Sequence, residues 1–207
     1  MRGFCYTRRM RLTVGIDEVG RGPLAGPVAV GAFAFTDAKC ARAARAFGVP
    51  LRDSKKLTRE QRERWDAQIR TWQKEGKCRF AVTMVSASTI DRIGIAPAIR
   101  RALARSLRAV ARDASARVVL DGGLKAPPEF RSQRTIIKGD ETEAVISLAS
   151  IVAKVSRDRH MLRQHAVFPA YGFNAHVGYG TRKHMDAIRA NGPCPLHRRS
   201  FMKRLHF

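Results

Sequence analysis

The chain has 207 residues and carries 40 lysines and arginines against 17 aspartates and glutamates, a formal net charge of +23. Like charge at this density opposes compaction and points to an anionic partner, a nucleic-acid backbone ahead of a membrane surface, since the chain has no long apolar run and no basic amphipathic helix with an aromatic face. The length suits one domain with a proper core, and Cys5, Cys40, Cys78 and Cys194 lack zinc-site spacing, so they read as reduced thiols of a cytoplasmic protein and not as a disulfide framework.

Residues 1–10 are basic but have neither an apolar stretch nor a cleavage site, so they read as a flexible tail and not a secretory signal. Residues 11–17, rich in β-branched and apolar side chains, predict a buried strand that ends in two acids. The Gly/Pro-rich stretch 20–27 predicts a wide loop returning into a second strand, 28–35, and the Ala/Arg-rich 36–50 is partly helical. Thr58 is placed to cap a helix running to about residue 73, and the alternating 79–85 reads as a third strand. Residues 86–93 are ambiguous, whereas 97–113 carry Ala, Leu and Val at helical spacing with Arg on the other face. Two short strands follow, 117–120 closing on Asp121 and 134–137 before Lys138-Gly139-Asp140. Residues 141–164 predict the longest helix, 168–180 a loop, 181–190 another helix, and 197–207 a basic, weakly structured tail. This is a mixed α/β pattern over 11–207, with a small helical C-terminal region from about 165.

The chemistry concentrates where strands meet acids. Asp17 and Glu18 end an apolar strand, where buried carboxylates need partners, and clustered carboxylates suit a hard divalent cation. Gly20-Arg21-Gly22 then allows close backbone approach, with a guanidinium suited to phosphate. The plain alternative is a strand-end turn with solvated acids. Asp121 ends a second strand, where it also reads as a turn former. On the long helix Ser147, Ile151, Lys154 and Asp158 fall along one stripe. Asp158 either points back over the sheet toward the strand ends or pairs with Lys154 on a solvated face. Four carboxylates at one edge repel unless cations neutralise them, and two divalent ions would clamp a phosphate. Lys55, Lys56, Lys138 and Lys154 are candidate phosphate contacts, with Ser54 and Ser150 as hydrogen-bonding supports. Arg198 and Arg199 are candidates for gripping the uncut backbone. The histidines form no nucleophile triad with any serine, although His176 is placed to order the loop before Tyr179.

Asp17-Glu18 with Gly20-Arg21-Gly22, then Asp53-Ser54-Lys55-Lys56-Leu57, Leu120-Asp121-Gly122 and Lys138-Gly139-Asp140, are followed by Ala149-Ser150-Ile151, Ala153-Lys154-Val155 and Arg157-Asp158. Phe168-Pro169, Tyr171-Gly172-Phe173, His176, Gly178-Tyr179 and His197-Arg198-Arg199-Ser200-Phe201 complete the series. In this order the segments resemble the type 2 ribonuclease H family, and within it bacterial ribonuclease HII. The resemblance implies an RNase H-like fold, a mixed five-stranded sheet with three strands antiparallel, flanked by helices. It implies cleavage of RNA in RNA–DNA hybrids and incision 5′ to single ribonucleotides in duplex DNA, with two Mg²⁺ or Mn²⁺ ions. By the same resemblance Asp17, Glu18, Asp121 and Asp158 hold the metals, Gly20, Arg21 and Gly22 read the 2′-hydroxyl, Tyr179 packs on the junction sugar, and Ser54, Lys55 and Lys154 assist substrate binding.

The chain departs from the family at Val177, Gly180 and Gly123, where Lys, Pro and Asn are common; the first two imply a looser loop and a weaker junction preference. It has no sliding-clamp motif ending in aromatics, and a monomer is expected. Two rivals remain: a non-catalytic basic nucleic-acid-binding protein, which gives no reason for acids at two strand ends, and a ribonuclease HIII-like enzyme, against which the intact Gly-Arg-Gly and the absence of a large N-terminal extension both weigh.

Overall fold

The computed structural model describes residues 12–48, 51 and 54–203; the predicted tail at 1–10, Asp53, and the end of the chain from residue 204 lie outside the described residues. Strand β1 (Thr13–Val19) is the centre of a five-stranded sheet whose order is β3-β2-β1-β4-β5. Its antiparallel neighbours are β2 (Val28–Phe35), paired directly, and beyond it β3 (Cys78–Val85). On the other side β4 (Arg117–Asp121) and β5 (Gln133–Ile136) run parallel. The first strand, expected to stop at its acids, runs through them. β4 pairs with it only as far as Ile16↔Leu120, while β2 goes on pairing to Val19↔Ala29. Asp17 and Glu18 therefore sit where one neighbour has ended and the other still braces the backbone.

Alternation along β1 sends Val14 and Ile16 into the core beneath α4 (Ile95–Val110), with Val30, Leu103 and Leu107. The opposite face carries α1 (Ala38–Arg45), α2 (Arg59–Lys74) and the long α6 (Ala144–Val167), packed over Phe33 through Trp65, Ile69, Leu148 and Val152. α6 lies close because two glycines leave room for it: a Cβ at Gly15 would stand 2.2 Å from the Val145 carbonyl carbon, and one at Gly31 2.2 Å from the Ala149 oxygen. That close packing brings Ser150 down to Asp17.

Thr58 caps α2 with a reciprocal capping box to Gln61. The ambiguous 86–93 stretch is α3 (Ala87–Ile93), capped by Ser86. The single helix predicted over 141–164 is two, α5 (Gly139–Thr142) and α6, divided at an extended Glu143 with φ −113° and ψ 112°. The break lets Gly139 stay on Asp121 while α6 follows the sheet. The predicted loop at 168–180 contains a 3₁₀ turn (Pro169–Tyr171) and α7 (Phe173–His176), with Tyr171 and Phe173 rings stacked at 5.6 Å. Single turns carry no periodicity in sequence. α8 (Arg182–Asn191) and α9 (Arg199–Met202) follow, and a third apolar cluster of Ala25, Met161, Phe173, Ile188 and Met202 joins this region to α6 and to the 20–27 loop. The C-terminal segment is thus structured, with Arg198 wholly buried. Cys40, Cys78 and Cys194 are free, and burial pushes the Cys78 thiol up to about 12. Among the described residues no helix is long and apolar enough to cross a membrane.

Candidate active site

β1 delivers Asp17 to the face under α6, where it is 5% exposed. Its Oδ1 accepts the Glu18 N–H at 2.8 Å, and the Ser150 hydroxyl of α6 also bonds it. Burial raises its pKa to about 8, and the nearby Glu18 and Asp121 push the same way. Glu18 is raised too, first by burial; Arg21, whose Nη1 lies 3.6 Å from Oε1, opposes this, as does Lys55. Asp121, at the end of β4, accepts the Gly139 N–H on Oδ1 at 2.7 Å. These three carboxyls act on one another electrostatically.

Asp158 is held differently. Its Oδ1 takes Lys154 Nζ at 2.8 Å, and Oδ2 lies 4.0 Å from Arg62 Nη2. The i,i+4 pair read from sequence is real, but it stands on a half-buried face. Arg62 donates onward to the Ser54 and Leu57 carbonyls at 3.0 and 2.6 Å, and Ser54 Oγ meets Ser150 Oγ at 2.8 Å. A continuous polar chain therefore links Asp158 to Asp17. Among the described residues no three Asp, Glu, His or Cys side chains are already gathered into a metal-binding group. The donor chemistry nevertheless suits a hard cation: the set is all carboxylate, and burial together with the neighbouring Glu18 and Asp121 makes the charged form of its most buried member costly without a partner.

The ribonuclease HII family model matches residues 14–207. The chain belongs to the ribonuclease HII family. It is 43% identical over 201 residues to ribonuclease HII of Xanthomonas campestris pv. campestris strain 8004, a match covering 94% of this chain and 77% of that protein. Ribonuclease HII of Nitrosococcus oceani is 41% identical over 187 residues, covering 90% and 87%. Among solved structures, the PCNA:RNase HII complex from Archaeoglobus fulgidus matches with a TM-score of 0.71 and 25% identity, covering 95% of this chain and 96% of that one. Bst-RNase HIII in complex with Mn²⁺ shares the fold, with a TM-score of 0.63 at 21% identity over 98% of this chain and 68% of that one. The protein is a ribonuclease H, an endoribonuclease of RNA–DNA hybrids on an RNase H-like mixed sheet. The non-catalytic alternative is excluded.

The remaining predicted residues sort by what they touch. Ser54 is buried against Ser150, Lys55 acts on Glu18, and Lys56 pairs with Glu141 at 2.8 Å. Tyr179 is 42% exposed, and the buried Arg157 guanidinium lies 5.8 Å from its ring centre. Arg198, expected to face a nucleic-acid strand, is instead turned inward onto the 20–26 loop, where backbone carbonyls satisfy it. The loop around Tyr179 is not loose: Gly178 O accepts both Leu24 N–H and Ala25 N–H, at 2.9 and 3.2 Å, and Val177 packs on the third cluster despite a left-handed φ of 44°.

His176 orders this loop as its place in the sequence suggests, but sequence reasoning missed that His184 and His197 complete the base beneath it. Cys194 N–H donates to His197 Nδ1 (2.9 Å), so His197 Nε2–H faces His184 Nε2 (3.1 Å) and His184 Nδ1–H faces Tyr179 O (2.8 Å). Gly178 N–H donates to His176 Nδ1 at 3.2 Å, leaving Nε2–H for Tyr171 O at 2.8 Å. Every ring is neutral in this arrangement, and a further proton on His184 Nε2 or His176 Nδ1 puts donor against donor. Burial lowers all three, His184 to about 4 from its ordinary 6.5. Unfolded histidines take up protons in that window and the folded ones resist, so stability falls as pH drops from 6.5 toward 4. Melting temperature measured on Asp17→Asn protein, which lacks that carboxyl's opposite contribution, should fall across this range. His184→Leu should flatten the dependence; an unchanged slope would refute the assignment.

Proposed function

We propose that this ribonuclease H incises 5′ to single ribonucleotides embedded in duplex DNA as well as within RNA–DNA hybrids, acting in the cytoplasm as a monomer in ribonucleotide removal. Asp17, Glu18, Asp121 and Asp158 would hold two Mg²⁺ or Mn²⁺ ions. The observation that carries this is the proximity of Asp17, Glu18 and Asp121 on the adjacent inner strands β1 and β4 of a strongly basic chain, with Asp17 buried. Bound divalent cations would supply Lewis acidity at the phosphate and ease ionisation of the attacking water.

The residues then divide the work. Asp17 and Asp121 are rigid, one inside the part of β1 that β2 still braces and the other fixed by Gly139. Asp158, now paired with Lys154, would help hold the cation, and Lys154 and Lys55 would then face the scissile phosphate with Ser54 behind them. Gly20, Arg21 and Gly22 meet the ribose, and the exposed face of Tyr179 covers the adjoining sugar. A water oxygen bonds to phosphorus as the bond to the upstream 3′ oxygen breaks; the water gives up a proton to solvent and the leaving 3′ oxygen takes one, leaving a 3′-hydroxyl and a 5′-phosphate.

The test is a DNA duplex with one ribonucleotide, incubated with Mg²⁺, Mn²⁺ or chelator beside the Asp121→Asn variant. Metal-dependent incision 5′ to the ribonucleotide, lost in the variant, is expected. Cleavage confined to long hybrids would replace junction recognition with a ribonuclease HIII-like preference and direct attention to Val177 and Gly180.

A further inference from the structure

The loop that follows the acid pair is built on two buried arginines. Arg198 donates from Nη2 to Gly20 O at 2.7 Å, from Nη1 to Arg21 O at 2.9 Å and from Nε to Gly26 O at 3.0 Å. Its own backbone N–H donates to Leu24 O at 2.7 Å, and Gly26 N–H donates to Leu196 O at 2.8 Å. Arg157 donates to Pro27 O and Ala25 O at 2.9 and 3.2 Å. Both arginines are 0% exposed. Neither makes a direct ion pair among the described residues, so carbonyl dipoles solvate two neighbouring cations. Burying a guanidinium on these terms is costly, and two apolar side chains would fill the space without that cost.

The geometry shows what the arrangement achieves. No described peptide bond is cis, and in a trans peptide the C=O and N–H point to opposite sides. Carbonyls of Gly20 and Arg21 drawn inward by Arg198 therefore turn the next two amides, those of Arg21 and Gly22, outward. The space outside is open: a Cβ built on Gly22 meets nothing within 4 Å. Two adjacent outward donors over open space form a site for an oxygen acceptor next to the acids.

We propose that Arg198 is a positioning residue for ribose recognition, fixing the 20–21 and 21–22 peptide planes so that the Arg21 and Gly22 amides donate to the substrate 2′-oxygen. This rests on the proposed contact between Gly20-Arg21-Gly22 and the ribonucleotide. Arg198 never touches substrate; it acts through the loop it holds. Arg157 supports the same loop at Ala25 and Pro27 and also underlies Tyr179, so both substrate-facing segments share one foundation.

The experiment measures duplex affinity in the Asp121→Asn background, which keeps the substrate intact, and compares one ribonucleotide with its all-DNA counterpart. Arg198→Lys keeps the charge but cannot hold three carbonyls. It should reduce the preference for the ribonucleotide about tenfold, roughly the loss of one well-aligned hydrogen bond, with affinity for all-DNA duplex unchanged. A folded Arg198→Lys protein with full preference overturns the proposal, as does an equal loss on both duplexes. Gly22→Ala separates the two levels, because its methyl enters open space in the free protein but blocks close approach of a sugar. Preference kept in both variants means the Gly-Arg-Gly contact itself is wrong; preference lost in Gly22→Ala and kept in Arg198→Lys defeats the positioning role alone. Should Arg198→Lys fail to fold, Asp91→Ala makes the same test from the surface. Asp91 holds the Arg199 and Ser200 amides at 2.9 and 3.0 Å and so anchors the segment that carries Arg198. Its loss must lower the ribonucleotide preference in the same sense, and unchanged preference there is equally fatal.

Discussion

Asp17→Asn removes activity and at the same time makes the metal-free protein more stable at alkaline pH. The two effects have one cause. Asp17 is buried beside two other carboxyls, and burial lifts it from its ordinary 3.8 to about 8. Between those values the folded protein keeps a proton that the unfolded chain gives up. Stability therefore falls as pH rises through the window, and the penalty is complete above about 8. Asparagine carries no such penalty, so its advantage in melting temperature grows from about pH 5 to about pH 9 in chelator and then levels. A divalent cation reverses the ranking, because the wild-type carboxylate gains a partner and the amide does not. Loss of a metal-held charge worth several kcal/mol in the transition state lowers turnover by about a thousandfold or more. Paired melting curves with and without Mg²⁺, together with initial rates, check both halves. Parallel pH dependence in the two proteins would mean that Asp17 is not the strained carboxyl.

The parts of this site that are legible in sequence are those governed by local rules. Val28 to Phe35 is an unbroken apolar run bounded by proline and threonine, and it is a strand with those limits. Thr58, Ser86 and Thr181 sit where helices begin, and each side chain accepts a backbone amide three residues on. The acids stand out because carboxylates after apolar strands are conspicuous. What escapes a sequence reading is decided by residues far apart in the chain. Arg157 and Arg198 look like two more charges in a basic protein, and only carbonyls from residues 20–27 bring them inside. The same is true of the histidines, whose neutral tautomers follow from a network spanning residues 171 to 197. The break at Glu143 is likewise tertiary: it accommodates both the Asp121 anchor and the bed that Gly15 and Gly31 provide for α6. Asp158 reads two ways in sequence, and the structure shows why both have merit, since it keeps its lysine partner while Arg62 ties it into the polar chain that leads back to Asp17.

Affinity for uncut duplex should fall steeply with salt, and the slope should depend on which cations are removed. Excess charge alone does not say where a strand lies. Arg157 and Arg198 are buried and contribute no phosphate contact, while Arg108, Arg159 and Arg189 are paired with Glu129, Glu63 and Asp186. Arg182 and Lys183 remain exposed at the start of α8, two residues beyond the Gly178–Gly180 segment that packs on the loop Arg198 holds. Arg100 and Arg101 are also exposed but belong to α4, on the face of the sheet away from α6. Six to ten phosphate contacts would cost about 10³- to 10⁵-fold in affinity between roughly 50 and 200 mM salt. Replacing Arg182 and Lys183 by alanine should reduce the slope of log affinity against log salt by about two, one for each phosphate no longer neutralised. The same change at Arg100 and Arg101 should leave the slope intact. Equal effects at both pairs would mean that the charge acts as a diffuse field around the whole molecule; a reduction confined to α8 would trace the strand across Tyr179 toward Asp17, Glu18 and Asp121.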